Sequence, residues 1–486
     1  MHIYFSDYFN IKKDTVKEYG AFNISLINDL PVFIDPFLLF TSEKEEYKEL
    51  HDNMIKYIAF LKDMSQSGPI KKGLIENWFL FPEIKQSWLG YSKTGNKGTG
   101  LGAKFASALN ENLHSIFSDF GNEDITKSSH LEKLCLIKSD VGRDNISDFT
   151  ANLIKGYLCE YTQKFALTYL EPYQVRDEYV SHAEFNYQMR IWISKKYTLP
   201  FIDNDYVLLT PKDMLTKDDT WINKHDLMGD FDEIRLSISN VELRDQINDY
   251  FVRVIPDKPK KKDVDTAKVM TLSKFPQLID YFIKYKEDNG DKAKEISVDN
   301  IKETESIFIE QVAKFMDILE KKEQFSHTTW DTYEETYERV LYLKQVIENN
   351  DGYKIFYLHG KPIKREADLQ LMFRLTWFAT PSDFNSEVNN GRGSVDFKIS
   401  RGFKDKTLVE FKLASNSKLK QNLAKQVKVY EEANQTKKAI KVILYFDGSE
   451  LEKTKKVLKE LKLEDSKSII LIDACNNKPS ASNVKL

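Results

Sequence analysis

The sequence predicts an α+β chain of several domains, and three features of its 486 residues carry that reading. Near the C-terminus, Val395, Phe397 and Ile399 alternate with Asp396 and Lys398, and Val409, Phe411 and Leu413 alternate with Glu410 and Lys412. A period of two marks strands, here the two arms of a hairpin. Between residues 267 and 350 the period lengthens: Ile301, Thr304, Phe308, Val312, Phe315 and Leu319 keep helical spacing. Upstream of that region, Pro256-Asp257-Lys258-Pro259-Lys260-Lys261-Lys262-Asp263 has the composition of a linker. A chain of this length has room for about three domains. The expected division is a mixed α/β domain over 1–255, a linker over 256–266, a helical connector over 267–350 and a C-terminal α/β domain over 351–486.

The first domain opens with an extended apolar segment, Leu30 to Leu39, in which Asp35-Pro36 reads as the end of a buried strand at a turn. A charged helix follows over Glu43 to Asp63. The stretch Gly95-Asn96-Lys97-Gly98-Thr99-Gly100-Leu101-Gly102-Ala103-Lys104 leads into a helical pattern. It reads either as a flexible loop or as a phosphate contact through Gly98, Gly100, Gly102 and Lys104, since amides ahead of a helix can face an anion. No Gly-Lys-Ser/Thr closes it, so it is not a Walker A loop. Farther on, Ser147 or Asp148 is a good N-cap for a helix from Ala151 to about Leu170. Leu199 to Ile202 and Tyr206 to Leu209 read as a hairpin around Asp203-Asn204-Asp205. In the connector, helices are expected over Phe275 to Lys286, Val298 to Lys322 and Thr332 to Asn349.

Composition narrows the function classes. Charged residues make up 30% of the chain with both signs mixed, and 41% is hydrophobic. No apolar run approaches the ~20 residues a membrane helix needs. The N-terminus lacks the basic-then-apolar order of a signal peptide. Cys135, Cys159 and Cys475 are scattered and odd in number, and the histidines include no metal-type pairing, so no zinc site is expected. A cytoplasmic protein without membrane attachment is the expectation. Residues 351–486 carry 26 Lys and Arg against 17 Asp and Glu, a net of +9, while residues 1–350 carry −13. A basic end suits a polyanionic partner, although lysine-rich helices also serve solubility.

The hairpin holds the candidate chemistry. Alternation places Glu410 and Lys412 on one face, two residues apart. If Asp396 aligns beside them, two carboxylates and an ammonium converge, and acidic oxygens share a small area only with a cation between them. A hard divalent ion, Mg²⁺ with Mn²⁺ as a substitute, suits such oxygen donors. Lys412 would then orient or help deprotonate a water, or neutralise charge developing at phosphorus. Polar residues on a solvent face are ordinary, so the triplet alone also reads as surface. Here, though, Glu410 and Lys412 sit in the apolar run Leu-Val-Glu-Phe-Lys-Leu-Ala, where charges need a reason.

This Asp, 13 residues, Glu-x-Lys arrangement resembles the catalytic hairpin of the PD-(D/E)XK nuclease superfamily. Arg365 to Phe373 reads as an amphipathic helix with Glu366 near its start, where many members place a further metal-assisting glutamate. Gln426-Val427-Lys428-Val429-Tyr430 resembles the Gln-x-x-x-Tyr element of several branches. A strand (Ala439 to Phe446), a helix (Ser449 to Leu461) and a strand (Ser468 to Asp473) complete the order the resemblance requires. Val395 stands where many members carry proline. The resemblance implies a restriction-endonuclease-like domain with Glu366, Asp396, Glu410 and Lys412 catalytic. Arg392, Gln426 and Tyr430 would support them, and Asp396, Glu410 and Glu366 would hold Mg²⁺. It implies a metal-dependent endonuclease acting on nucleic acid, DNA ahead of RNA, similar to bacterial defence nucleases that carry an N-terminal sensing or regulatory domain. Homo-oligomers and a separate ATPase or regulatory subunit are partners it leaves open. The competing class is a non-catalytic nucleic-acid-binding or assembly subunit built on the same fold; retention of Glu366, Asp396, Glu410 and Lys412 together disfavours it, since a scaffold has no use for a desolvated acidic cluster.

Overall fold

The computed structural model describes residues 3–27, 29–68, 70–90, 101–102, 106, 109–110, 113, 123–137, 143–202, 204–217, 219–311, 331–349, 352–358, 361–362, 366–375, 377, 380, 382–389, 394–402, 405–426 and 438–476. The chain is α+β and divides into two compact units, His2–Ser92 with Asn96–Lys302, and Glu303–Leu486. Among the described residues no helix is long and apolar enough to cross a membrane.

In the first unit two short helices, Phe5–Tyr8 and Lys13–Glu18, precede β1 (Val32–Ile34), whose three residues are all buried. Asp35 ends the strand and caps the short helix Pro36–Phe40: one carboxylate oxygen accepts the Phe37 amide at 3.0 Å, the other the Trp221 amide at 2.8 Å. Pro36 fits the first helical position because its missing N–H would have no helical partner there. Then come α1 (Glu45–Gln66), α2 (Arg143–Leu153) and α3 (Lys155–Tyr169). Tyr47, Met54, Tyr57, Ile58 and Leu61 give α1 its buried stripe. A long antiparallel hairpin follows, β2 (Val175–Asn186) with β3 (Ile191–Ile202), carrying a bulge between Val180 and Glu184. The end of β3 pairs with Asp205–Tyr206, and Asn204 turns the chain at a φ of 70°. Finally β4 (Leu215–Lys217) pairs antiparallel with β1.

Two local expectations give way to packing. Ser147 and Asp148 do not cap a helix; they lie inside α2, where the Ser147 hydroxyl oxygen accepts the Ile34 amide at 2.9 Å and ties helix to strand. The carboxyl of Asp148 is pushed up to about 8, first by burial and then by Asp144 and Glu83. A folded-state pKa raised this way adds stability that is complete below the unfolded value near 4 and is lost as pH rises through about 8. Asp148→Asn should therefore melt above the wild type by a margin that grows between about pH 4 and pH 8 and levels off above it. A melting series over that range checks it; a variant that loses stability at alkaline pH would contradict it.

The linker is also shorter than its composition suggests. Lys261 to Lys274 form α4, which starts inside the 256–266 stretch, and Gln277–Asp288 form α5. Ala267, Leu278, Ile279, Phe282 and Ile283 join the buried cluster that holds Phe37, Tyr57, Phe79 and Phe149. Residues 267–302 thus complete the core of the first unit, and the break to the second falls within the 267–350 stretch. A fragment beginning at Ala267 carries a truncated α4, α5 and the helix Gly290–Thr304 stripped of their partners and should aggregate. One beginning at Glu303 should unfold cooperatively. Gel filtration and melting curves of the two fragments distinguish these outcomes.

The second unit is built on a five-stranded sheet. Its principal elements in order are α6 (Thr332–Asn349), α7 (Glu366–Leu375), β5 (Asp383–Asn389), β6 (Ser394–Arg401), β7 (Asp405–Leu413), β8 (Ala439–Tyr445), α8 (Gly448–Glu460) and β9 (Ile469–Asp473), with a small hairpin of Tyr357–Leu358 and Lys361–Pro362 between the first two. The spatial order is β9-β8-β7-β6-β5. The β5–β6 and β6–β7 pairs are antiparallel, and β7–β8 and β8–β9 are parallel. Gly402 turns β6 into β7 at a φ of 70°, a backbone region that favours glycine. Phe373 of α7 packs on one face, 5.4 Å from the Phe397 ring and 5.0 Å from the Phe411 ring. On the opposite face, Ile443 packs with Leu419, Leu423 and Leu458 of α8. Glu335 of α6 anchors the sheet edge by accepting from Arg339 at 3.0 Å, Ser382 at 2.7 Å and Arg401 at 3.1 Å.

Candidate active site

The β6–β7 register runs from Asp405 opposite Arg401 to Val409 opposite Phe397. That register brings Asp396 and Glu410 next in line, on the face opposite Phe397 and Phe411. Here the Asp396 carboxylate takes the Phe411 amide at 2.6 Å. One strand further, Glu410 lies opposite Lys441 in the parallel β7–β8 ladder. The first residue of α7 completes the cluster: one Glu366 oxygen accepts the Leu413 amide at 3.4 Å and the other the Lys412 ammonium at 3.2 Å.

Lys412 is the centre of the arrangement. Its Nζ donates to the Phe411 carbonyl at 2.7 Å and stands 3.5 Å from Glu410 Oε1 and 3.9 Å from Asp396 Oδ2. Side-chain exposure is 12% for Lys412, 15% for Asp396, 7% for Glu410 and 28% for Glu366. Three acids and one base thus share a largely dry patch. Burial pushes the Glu410 carboxyl up to about 7, although Lys412 and Lys441 pull it back. Burial raises Asp396 too, against the Lys412 charge and the Phe411 amide. Burial alone would lower Lys412, but Asp396, Glu410 and Glu366 outweigh it and its pKa is raised. The cluster therefore holds an ammonium firmly and two carboxylates under strain.

The donor set fits a hard divalent cation: carboxylate oxygens and a peptide carbonyl already surround a positive charge. Among the described residues, however, no three acidic, histidine or cysteine side chains are drawn together as a ready ligand set. The ammonium stands between the acids instead.

Thus Glu366, Asp396, Glu410 and Lys412 come together. Gln426 ends a π-helical segment, Asn422–Gln426, and its side chain is outside the description. Arg392, Tyr430, Gly98, Gly100 and Lys104 lie outside the described residues; Gly102 is described, and a Cβ there would meet nothing within 4 Å. Two neighbours escaped sequence reading. Gln370 bonds Asp396 and helps keep it ionised; its signal was the four-residue spacing from Glu366 on one helix. Lys441 reaches Glu410 only through the parallel register, which leaves no mark in the sequence.

Two family models match the chain. Residues 10–223 match a "Domain of unknown function (DUF8370)" and residues 332–448 a "Domain of unknown function (DUF8371)". The second span runs from α6 to the end of β8 and contains all four residues of the cluster. No curated protein and no solved structure matches.

Proposed function

We propose that the second unit is a Mg²⁺-dependent phosphodiesterase, an endonuclease of the PD-(D/E)XK type acting on nucleic acid, DNA ahead of RNA. One observation carries the reading: residues distant in sequence, Glu366, Asp396, Glu410 and Lys412, converge on one largely buried patch of oxygen donors around a cation. Asp396, Glu410 and Glu366 would hold the ion, which when bound supplies a Lewis acid and an activated water. The Phe411 amide and Gln370 fix the orientation of Asp396, and Lys441 favours the ionised form of Glu410. Lys412, the most cationic point of the patch, is placed to hold a water or to neutralise charge on a non-bridging oxygen.

The substrate class is supported locally more than by net charge. Counted over Glu303–Leu486 the charge is only +3, because residues 303–350 are acidic. Lys398, however, lies two residues from Asp396 on β6 and so on the same face. Burial and the Lys406 charge both lower its pKa, a strain that a polyanion would relieve. A role in bacterial defence, with the first unit as regulator, follows from the resemblance alone.

The cluster as it stands also favours a second reading. An ammonium neutralising three acids needs no metal, as in a non-catalytic nucleic-acid-binding or assembly subunit. Incubating the full chain with plasmid, linear DNA and RNA in Mg²⁺, Mn²⁺ or EDTA separates the two. The nuclease reading expects strand breaks with either ion and none with EDTA. Intact substrates in every ion leave the scaffold.

A further inference from the structure

A cavity of about 920 Å³ opens in the first unit, within the ~300–1,000 Å³ typical of small-molecule sites. Its walls come from the start of α1, from α3, from the β2–β3 hairpin and from Pro211 to Asp213. Every lining residue falls within the 10–223 span matched by the first family model.

Two features show that the wall is built. The β2 bulge brings Ala183, Glu184 and Phe185 into the lining. Its Ala183 carbonyl approaches α3 so closely that a Cβ on Gly156 would overlap that oxygen. Only glycine admits this approach, and bulges serve to re-aim side chains. Independently, Tyr197 lines the cavity at 5% exposure, and its hydroxyl has no hydrogen-bond partner. A buried hydroxyl left unbonded is costly, and a bound molecule would satisfy it.

The lining also restricts what enters. Tyr19, Tyr47, Tyr157, Tyr161, Tyr187 and Trp192 offer aromatic faces for a planar ring. Most rim charges are already engaged: Asp213 accepts from Lys44 at 2.6 Å and Tyr47 at 2.7 Å, Glu46 accepts from Tyr157 at 3.3 Å, and Lys195 pairs with Glu184. Lys164 and Glu160, one turn apart on α3, are exposed at the rim, and neither forms an ion pair with a described residue. Four lysines against five acids leave no positive surplus for a long polyanion. The Lys164 cation, the acids Glu49 and Glu160, an orphan hydroxyl and flat rings complement a compact molecule with one anionic group, polar donors and an aromatic ring.

We propose that this cavity binds a nucleoside monophosphate, with its base among the tyrosines, its phosphate on Lys164, and its sugar or base donors on Glu160 and the Tyr197 hydroxyl. The proposal stands whether or not the second unit is a nuclease. Calorimetric titration of the full chain with AMP, GMP, CMP and UMP tests it. At least one should bind with a single site per chain. Lys164→Ala should weaken that binding about tenfold, as loss of a charge-assisted hydrogen bond does, and leave the matching nucleoside unaffected. Tyr197→Phe should weaken nucleotide and nucleoside alike. Circular dichroism melts confirm that both variants fold. The proposal is overturned if no nucleotide binds at about 1 mM, if Lys164→Ala changes nothing, or if a single-stranded oligonucleotide binds more tightly than every mononucleotide.

Discussion

Glu410→Gln and Asp396→Asn should each abolish the proposed nucleic-acid cleavage, lowering the rate by at least ~10³-fold, while the protein stays folded. Both substitutions keep shape and hydrogen-bonding capacity and remove only the negative charge a cation needs. The carboxamide that replaces the Asp396 carboxylate keeps an oxygen for the Phe411 amide, so the β6–β7 junction survives. For Glu410 the folded protein should even gain stability at alkaline pH. Burial raises its carboxyl to about 7, so its contribution is complete below the unfolded value near 4.5 and is lost as pH rises through 7. Above that pH the wild type holds a buried charge that glutamine lacks. A residue whose removal stabilises the fold and ends turnover is kept for function. Plasmid-nicking rates at matched Mg²⁺, with melting midpoints at pH 6 and pH 8.5, check both halves. Either variant cutting at the wild-type rate would sink the assignment.

How much of this was legible in the sequence differs between the two units, for physical reasons. In the second unit, strand alternation and local spacing were strong. The hairpin, the helix at Glu366, the strand at Ala439 and the helix near Ser449 are found within a few residues of where periodicity puts them. Sheet pairing then brings the cluster together. In the first unit, much of the structure depends on distant partners. Of the β2–β3 hairpin only the end of β3, Leu199 to Ile202, reads as strand, and it reads as pairing onward across Asn204; β2 goes unread because Val175 to Asn186 mixes Arg, Asp, Glu and His with few apolar residues. The hairpin's inner face closes a cavity whose walls join α1, α3 and residues 211–213, a convergence that no local pattern encodes. The lysine-rich start of α4 illustrates the same limit. Lys261 and Lys262 read as linker because their own side chains are solvated, yet Ala267 and Thr271 further along are buried and hold the helix in the core.

Lys412→Met should remove both the proposed turnover and the cation that lets three acids share the patch. Leaving Asp396, Glu410 and Glu366 with only the more distant Lys441 beside Glu410 should cost about 3–5 kcal/mol near pH 8, as breaking one side of a buried ion pair does. Two treatments should return that stability for different reasons. Lowering the pH to about 6 protonates carboxyls whose pKa values rise further once the ammonium is gone. Adding Mg²⁺ supplies a cation to oxygens that already surround one, and should raise the variant's midpoint more than the wild type's, where Lys412 competes for the same place. Lys412→Arg separates charge from chemistry. A guanidinium restores part of the stability, but it is wider than an ammonium and cannot readily give up a proton, so turnover stays lost. These outcomes also divide the two readings of the site. A nuclease shows a Mg²⁺-dependent midpoint in the wild type and a larger one in Lys412→Met. In a scaffold sealed by its own ammonium, the wild type ignores Mg²⁺, and Lys412→Met loses stability without any change in nucleic-acid cleavage.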